Sequence, residues 1–239
     1  MLYTLQAVQD NIRNRDGKRV FFLGKQDHLT AAAEDYLRAE RIAVLPAEEA
    51  KITRYRLPGG GYLEEKPEHM THLNGDVLVS KLHPRIAFRG AMDTLEAELL
   101  LCQLACGKAL EQPLGEILAL ARKILACEVM NEPCKEVRLC GMTAEEIRSH
   151  SHRPQDYYGV PHFMPQVTDG EVILHLNRAR CAVRNAERTA VAAFLDSQGQ
   201  LDRVDLVQML NRMSSMLYIL MIKERGQSGT GSHYKGSFG

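Results

Sequence analysis

The stretch VILHLNRARCAVRNAERTAVAAF, from Val172 to Phe194, decides the fold. Its apolar and small residues recur at alternating spacings of four and three, a pattern typical of a helix that packs in a bundle. We therefore predict a bundle helix over this stretch. The repeat comprises Val172, Leu176, Ala179, Val183, Ala186, Ala190 and Ala193.

One flank of this helix carries a ladder of guanidinium groups. Arginine forks bind anions well, so the ladder is suited to an anionic ligand. The same pattern is also typical of a solvated, salt-bridged edge of a bundle helix. The helix pattern alone leaves both interpretations open. The flank consists of Asn177, Arg178, Arg180, Arg184, Glu187 and Arg188.

The composition indicates a globular protein. The chain has 239 residues, of which 45% are hydrophobic, and its 30 basic residues balance its 30 acidic ones. This balance excludes the overall basic field that binds nucleic acid without local clustering. The sequence has no secretory start and no apolar run of about 18 residues, the length of a membrane span. We predict a soluble, cytoplasmic protein with no nucleic-acid or membrane partner.

Three further stretches predict helices. One starts at Pro84 and repeats the spacing of four and three, and another starts at Pro113. Asp93 lies on the flank of the Pro84 helix that matches the arginines, so its carboxylate is placed to meet a guanidinium. The last helix, up to residue 225, is apolar nearly all round except at Asn211 and Arg212. These two polar side chains must face a structural partner or a polar ligand.

The remaining segments differ in character. Residues 1–50 predict a small α/β appendage with two short strands and a helix capped by Thr30. Residues 51–75 have the composition of a loop, and residues 226–239 that of a flexible tail. The irregular segment 134–171 includes Phe163, which suits an aromatic wall for a flat ligand. Six cysteines without a CxxC pair indicate reduced thiols.

Three blocks of this sequence resemble a known family. They are VSKLHPRIAFRGAMDTLEA, RARCAVRNAER and LNRMSSMLY, between residues 79 and 218. In this order they are similar to motifs of the ATP:corrinoid adenosyltransferases of the propanediol-utilization type, and more closely of their ethanolamine-utilization relatives. The resemblance implies a mainly α fold, a five-helix bundle over residues 76–225, with the small N-terminal α/β appendage. It also implies a homotrimer.

The resemblance implies a role for each matched residue. Asp93 and Arg180 correspond to a pair that meets across the subunit interface, and with Arg184 they form the expected catalytic set. Phe163 corresponds to the aromatic wall below the corrinoid. The expected cofactor-binding residues are Thr71 in the loop over residues 51–75, Lys81, Phe163, Arg184, Glu187, Arg188 and Asn211.

The implied reaction transfers the 5′-deoxyadenosyl group of ATP, with Mg²⁺, to cob(I)alamin and releases triphosphate. The implied partners are a corrinoid reductase and ethanolamine ammonia-lyase, and a cytoplasmic location is compatible with association with a bacterial microcompartment. A trimer that binds ATP or adenosylcobalamin without catalysis, as a carrier or sensor, is the alternative.

The sequence also departs from the family pattern. The segment KPEHMTHLNGD replaces the glycine-rich phosphate loop of the propanediol type, and Asn185 and Ser215 replace an arginine and an acidic residue of the motifs. Some ethanolamine-type members carry a metal-binding cysteine cluster before the bundle. The first cysteine here is Cys102, so we predict no metal site.

Overall fold

The computed structural model describes residues 1–15, 18–50, 55–63, 65–136 and 138–229. The chain divides into two compact units, Met1–Val79 and Ser80–Gly239. The division falls within a few residues of position 76, where the helical bundle was predicted to begin.

The first unit begins with a small α/β fold. Strand β3 (Lys18–Leu23) lies between β2 (Arg13–Arg15), which runs antiparallel to it, and β5 (Ala43–Pro46), which runs parallel. Strands β1 (Leu2–Tyr3) and β4 (His28–Leu29) form a separate parallel pair. The helices are α1 (Leu5–Asp10), α2 (Ala31–Ala39) and α3 (Ala47–Ala50).

This part has an apolar core of its own. Phe21 on β3 is buried together with Ala33 and Leu37 of α2. The hydroxyl of Thr30 accepts a hydrogen bond from the Ala33 N–H at 3.4 Å and caps the first turn of α2. The predicted α/β appendage and its helix cap are therefore confirmed.

Residues 55–80 form a four-stranded sheet rather than the predicted loop. Its order is β7-β6-β9-β8, from β6 (Tyr55–Arg56), β7 (Tyr62–Leu63), β8 (Met70–Asn74) and β9 (Val77–Ser80). A run of three glycines at residues 59–61 makes the turn between β6 and β7, where Gly60 and Gly61 have φ of 94° and 87°. Strands this short show no recognisable period-two pattern. Residues 51–54 and 64 lie outside the described residues.

The second unit is helical, as predicted. Its helices are α4 (Pro84–Cys106), α5 (Glu111–Met130), α6 (Ala144–His152), the short α7 (Pro154–Tyr158), α8 (Glu171–Phe194) and α9 (Val204–Gly229). Helix α4 ends at Cys106, and its C-cap Gly107 has a φ of 64°, after which the chain forms the short 3-10 helix Lys108–Leu110.

Helix α8 lies at the centre of this unit and packs mainly on α4 and α9. It runs antiparallel to α4, because Phe194 at its end contacts Phe88 near the start of α4, with ring centroids 6.0 Å apart. The middle of the predicted apolar repeat, from Leu176 to Ala190, is fully buried. At the ends, Val172 and Ala193 are only half-buried. A straight helix drifts away from a 3.5-residue repeat, which explains this difference.

A buried carboxylate ties α4 to α5. Glu128 of α5 is fully buried, and its two oxygens accept hydrogen bonds from Arg85 Nε at 2.6 Å and Arg89 Nε at 2.7 Å. A buried charge requires such partners, because it has lost its hydration. The pairing fixes the first two turns of α4, the helix that also carries Asp93.

Helix α9 continues to Gly229, so the first four residues of the predicted flexible tail are helical. Residues 230–239 lie outside the described residues. Within the described part of the chain, no helix has the length and apolar character to cross a membrane.

Candidate functional site

A cavity of about 710 Å³ opens between α8, α9 and the segment after α7. Four residues selected from the sequence line it, namely Phe163, Arg180, Arg184 and Asn211. They come from three separate parts of the sequence. The volume lies in the range of sites for small organic ligands.

Arg180 and Arg184 form the basic side of this cavity. They are one helical turn apart on α8, so their side chains share a face. The Arg180 guanidinium lies over the Tyr218 ring, 5.3 Å from its centroid. Its Nε is buried and has no hydrogen-bond partner among the described residues. Since an unsatisfied buried donor is unfavourable, Arg180 is suited to a partner from outside this chain.

The ladder of arginines on α8 divides into two kinds. Arg178 forms an ion pair with Glu98 of α4 at 2.7 Å, as the salt-bridged-edge interpretation predicts. Within the described ranges, Arg180, Arg184 and Arg188 have no carboxylate within 4 Å. Arg180 and Arg184 line the cavity. The interpretation of the flank as a solvated, salt-bridged edge of the helix therefore holds for Arg178 only.

Asn211 is held by its neighbours on both sides. Its Nδ2 donates to Glu187 Oε1 at 2.9 Å, and its Oδ1 accepts from Arg212 Nη1 at 2.9 Å. The two polar interruptions of the last helix therefore have partners within the chain. Glu187, predicted as a cofactor contact, orients Asn211 instead of lining the cavity.

Aromatic side chains also line the cavity and form an aromatic wall. Phe163 is half-buried there, and the Arg225 guanidinium lies 4.1 Å from its ring centroid. The Phe163 N–H donates to the Tyr218 hydroxyl at 3.3 Å. The Tyr218 and Phe163 rings stack with centroids 6.0 Å apart. Arg225 also pairs with Asp169 at 3.7 Å, so Phe163 is held through both its ring and its backbone.

His162 extends this network. Its Nε2 lies 3.1 Å from the carbonyl of His152, and its Nδ1 lies 3.0 Å from the Tyr218 hydroxyl. A carbonyl only accepts, so Nε2 carries a hydrogen, and Nδ1 of the neutral ring accepts from the Tyr218 O–H. The hydroxyl of Tyr218 thus both donates and accepts, and it fixes the segment around Phe163.

Sequence reasoning did not select Tyr218, His162 or Arg225. The sequence did contain a signal for Tyr218, because polar residues recur at helical spacing on the otherwise apolar α9. These residues are Asn211, Ser214, Ser215 and Tyr218. All four line the cavity, so they form the polar stripe of the helix.

Other predicted site residues lie outside this cavity. Lys81 is exposed in the turn before α4, and Asp93 is exposed on α4. Arg188 is exposed on α8, one turn beyond Arg184. Thr71 lies on β8, in the other unit of the chain. Their predicted roles stay predictions.

The cysteines are free thiols in this structure. Within the described residues, no three side chains of His, Cys, Asp or Glu come together as ligands for a metal ion. The absence of a metal site stays a prediction.

Comparison with known proteins gives consistent matches. The family model described as cobalamin adenosyltransferase matches residues 61–224. The chain is 31% identical over 158 residues to corrinoid adenosyltransferase EutT of Salmonella typhimurium. It is 30% identical over 158 residues to EutT of Escherichia coli K12. These matches cover 66% of this chain and 59% of the relatives, so the chain matches little more than half of their length.

A solved structure shares the fold. It is a variant PduO-type ATP:corrinoid adenosyltransferase from Lactobacillus reuteri, complexed with cobalamin and ATP. The match has a TM-score of 0.52 at 18% identity and covers 67% of this chain and 91% of that protein.

Proposed function

The chain belongs to the cobalamin adenosyltransferase family, and we propose that it transfers the 5′-deoxyadenosyl group of ATP to cob(I)alamin, forming adenosylcobalamin and releasing triphosphate. The observation that carries this proposal is that guanidinium groups and an aromatic ring line the same cavity. Arg180 and Arg184 lack carboxylate partners among the described residues and line it. Phe163 lines it as well. The guanidinium groups suit phosphates, and the aromatic ring suits a flat, largely apolar ring system.

The reaction needs no nucleophile from the protein. The cobalt electron pair of cob(I)alamin forms the bond to C5′ of ATP, and the C5′–O bond breaks with its electrons going to the triphosphate. The protein has to align the two substrates and stabilise the growing charge of the leaving group. Arg184 suits the second task, because a guanidinium binds phosphate oxygens in pairs. A Mg²⁺ ion that enters with the phosphates shares the charge.

The remaining predicted contacts belong to the same proposal. Lys81 contacts the triphosphate, Thr71 is a further cofactor-binding residue, and Arg188 extends the row of guanidinium groups along α8. Glu187 acts through Asn211, which it holds at 2.9 Å. We also keep the corrinoid reductase and ethanolamine ammonia-lyase as proposed partners, and the cytoplasm, with or without a microcompartment, as the proposed location.

We propose that the functional unit is a homotrimer, with Asp93 of one subunit meeting Arg180 of the next. An exposed apolar stripe on α4 supports this proposal. Leu100, Leu101 and Leu104, which follow Asp93 by two to three turns, are 47%, 48% and 83% exposed. A stripe of this kind on a monomer is typical of a contact surface.

A visible spectrum tests the reaction. Reduced cobalamin, ATP and the full chain are expected to develop the absorption bands of an alkylcobalamin, with stoichiometric triphosphate. The carrier or sensor alternative predicts a shift of the cobalamin bands without alkylation and without triphosphate, because no cobalt–carbon bond forms. That second result would exclude the proposed catalysis and support the alternative.

The aromatic wall gives a second prediction. Phe163 suits the exclusion of water and of an axial ligand from the lower corrinoid face, which makes the Co(I) state easier to reach. Phe163→Ala is expected to slow alkylation by about tenfold or more when cob(II)alamin is reduced in the assay. The loss is expected to be smaller when cob(I)alamin is supplied already reduced. Both rates follow from the same spectra.

Tyr218→Phe is the matched variant for this test. It keeps the ring under Arg180 but removes the hydroxyl that holds the Phe163 N–H. We expect a smaller loss than for Phe163→Ala, about threefold, with the same preference for pre-reduced cobalamin. Equal losses with both forms of cobalamin in both variants would exclude a role of the wall in Co(II) reduction.

A further inference from the structure

A second cavity, of about 750 Å³, opens between α6 and α9. It is lined by three arginines from different parts of the chain, Arg148 of α6, Arg153 between α6 and α7, and Arg212 of α9. Nothing in the proposed reaction uses these three arginines together. We call this cavity the arginine cleft.

The three arginines of the cleft outnumber its two carboxylates, and none of them forms an ion pair among the described residues. In the ranges that the structure describes, no carboxylate oxygen lies within 4 Å of a nitrogen of Arg148, Arg153 or Arg212. Glu136 and Glu145 also line the cleft, but neither forms an ion pair with these arginines. The three arginines outnumber the two glutamates, so the lining keeps a net positive charge when His152 is counted as neutral.

Two of the arginines, Arg153 and Arg212, are bonded to neutral groups, which fix them without removing their charge. Arg153 Nη2 donates to Ser149 Oγ at 2.7 Å and to the Tyr157 hydroxyl at 3.3 Å. Its guanidinium also lies 5.7 Å from the centroid of the Tyr157 ring. Such contacts orient a guanidinium in advance, so binding an anion costs less conformational entropy.

Arg212 is the most constrained of the three. Its Nη1 donates to Asn211 Oδ1 at 2.9 Å, while its Nε is buried without a hydrogen-bond partner among the described residues. Burial lowers the pKa of Arg212, and the charge of Arg148 lowers it further, against the opposing effect of Glu136 and Glu187. An arginine stays charged in a protein, so this direction means that its charge is poorly compensated.

We propose that the arginine cleft binds a condensed phosphate chain, at a site distinct from the adjoining cavity of Phe163, Arg180 and Arg184, with which it shares His152. Guanidinium forks fit the oxygens of phosphate groups in pairs, and three of them suit a ligand with several phosphates. The volume is also that of a small-molecule site, larger than a single phosphate needs. The chain can be a free inorganic polyphosphate or the phosphate tail of a nucleotide.

Calorimetric titration of the full chain with inorganic triphosphate tests this proposal without any activity measurement. Arg148 is exposed and has no side-chain partner in the part of the chain that the structure describes, so Arg148→Ala is expected to fold normally. We expect this variant to bind triphosphate about tenfold more weakly. Arg148→Lys keeps the charge but loses the guanidinium fork. Its affinity for triphosphate is expected to lie between that of the original chain and that of Arg148→Ala.

Two further variants serve as controls. Arg122→Ala removes another exposed guanidinium, from α5, where it pairs with Glu96 and lines neither cavity. Arg184→Ala removes a guanidinium from the other cavity. Both are expected to retain the triphosphate affinity of the original chain at the cleft.

The titrations separate the outcomes. Loss of binding in Arg184→Ala, with no change in Arg148→Ala, would place the phosphate in the other cavity and overturn the proposal. No binding at millimolar triphosphate would overturn it as well. If ATP shows a site that Arg148→Ala weakens, the ligand is a nucleotide tail. If only triphosphate shows that site, the ligand is a free polyphosphate.

Discussion

Arg184→Ala is expected to lower the affinity for ATP while the chain still folds. The side chain is exposed on α8, lines the cavity and has no carboxylate within 4 Å among the described residues. Losing hydrogen bonds to a charged phosphate costs about 1.5–3 kcal/mol, which corresponds to a Kd about 10- to 150-fold higher. Calorimetry with ATP measures this change. The melting temperature should stay near that of the original chain, because Arg184 lies outside the apolar core.

The matched control for this prediction is Arg178→Ala. Arg178 is on the same helix, one and a half turns earlier, and its side chain is 62% exposed and paired with Glu98. Loss of an exposed pair changes stability by about 0–1 kcal/mol, so this variant should bind ATP normally. Equal losses of ATP affinity in the two variants would mean that the basic flank acts only through its total charge. A melted Arg184→Ala would contradict the position of the side chain outside the core.

The fold of the second unit follows from the sequence because its helices are long. A helix such as α8, with 24 residues, contains several repeats of its apolar spacing, so its centre is well determined. The apolar spacing predicts the ends of α8 less well, since Val172 and Ala193 are only half-buried. The sheet over residues 55–80 was missed for the opposite reason. Its strands have two to five residues, and pairing with neighbours defines them more than their own pattern does.

The candidate site was predicted in part. Phe163, Arg184 and Asn211 were selected through motifs, and the structure brings them to one cavity. The sequence did not distinguish Arg178 from Arg184, because the partner of Arg178 is 80 residues away on another helix. The hydrogen bonds of the Tyr218 hydroxyl could not be predicted either. They depend on how the segment after α7 folds back onto α9, which no local pattern determines.

Asp93→Asn is expected to weaken the proposed homotrimer and, with it, ATP binding. The buried Nε of Arg180 has no partner among the described residues, and Asp93 is exposed without an ion pair there. If the two meet across the interface, removing the charge of Asp93 leaves a desolvated guanidinium unpaired. Such a loss costs about 2–5 kcal/mol. Sedimentation over a range of protein concentrations should show dissociation of the assembly at concentrations where the original chain stays associated.

Glu96→Gln is the matched control for this last prediction. It makes the same isosteric change on α4, but its partner is Arg122 of the same chain at 2.9 Å, so the assembly should not change. Arg180→Ala should weaken the assembly to a similar degree, and the double variant should lose little more than either single one, because the two residues act as one pair. Additive losses in this cycle would show that Asp93 and Arg180 act independently. An unchanged assembly in Asp93→Asn would exclude their contact as a determinant of the interface.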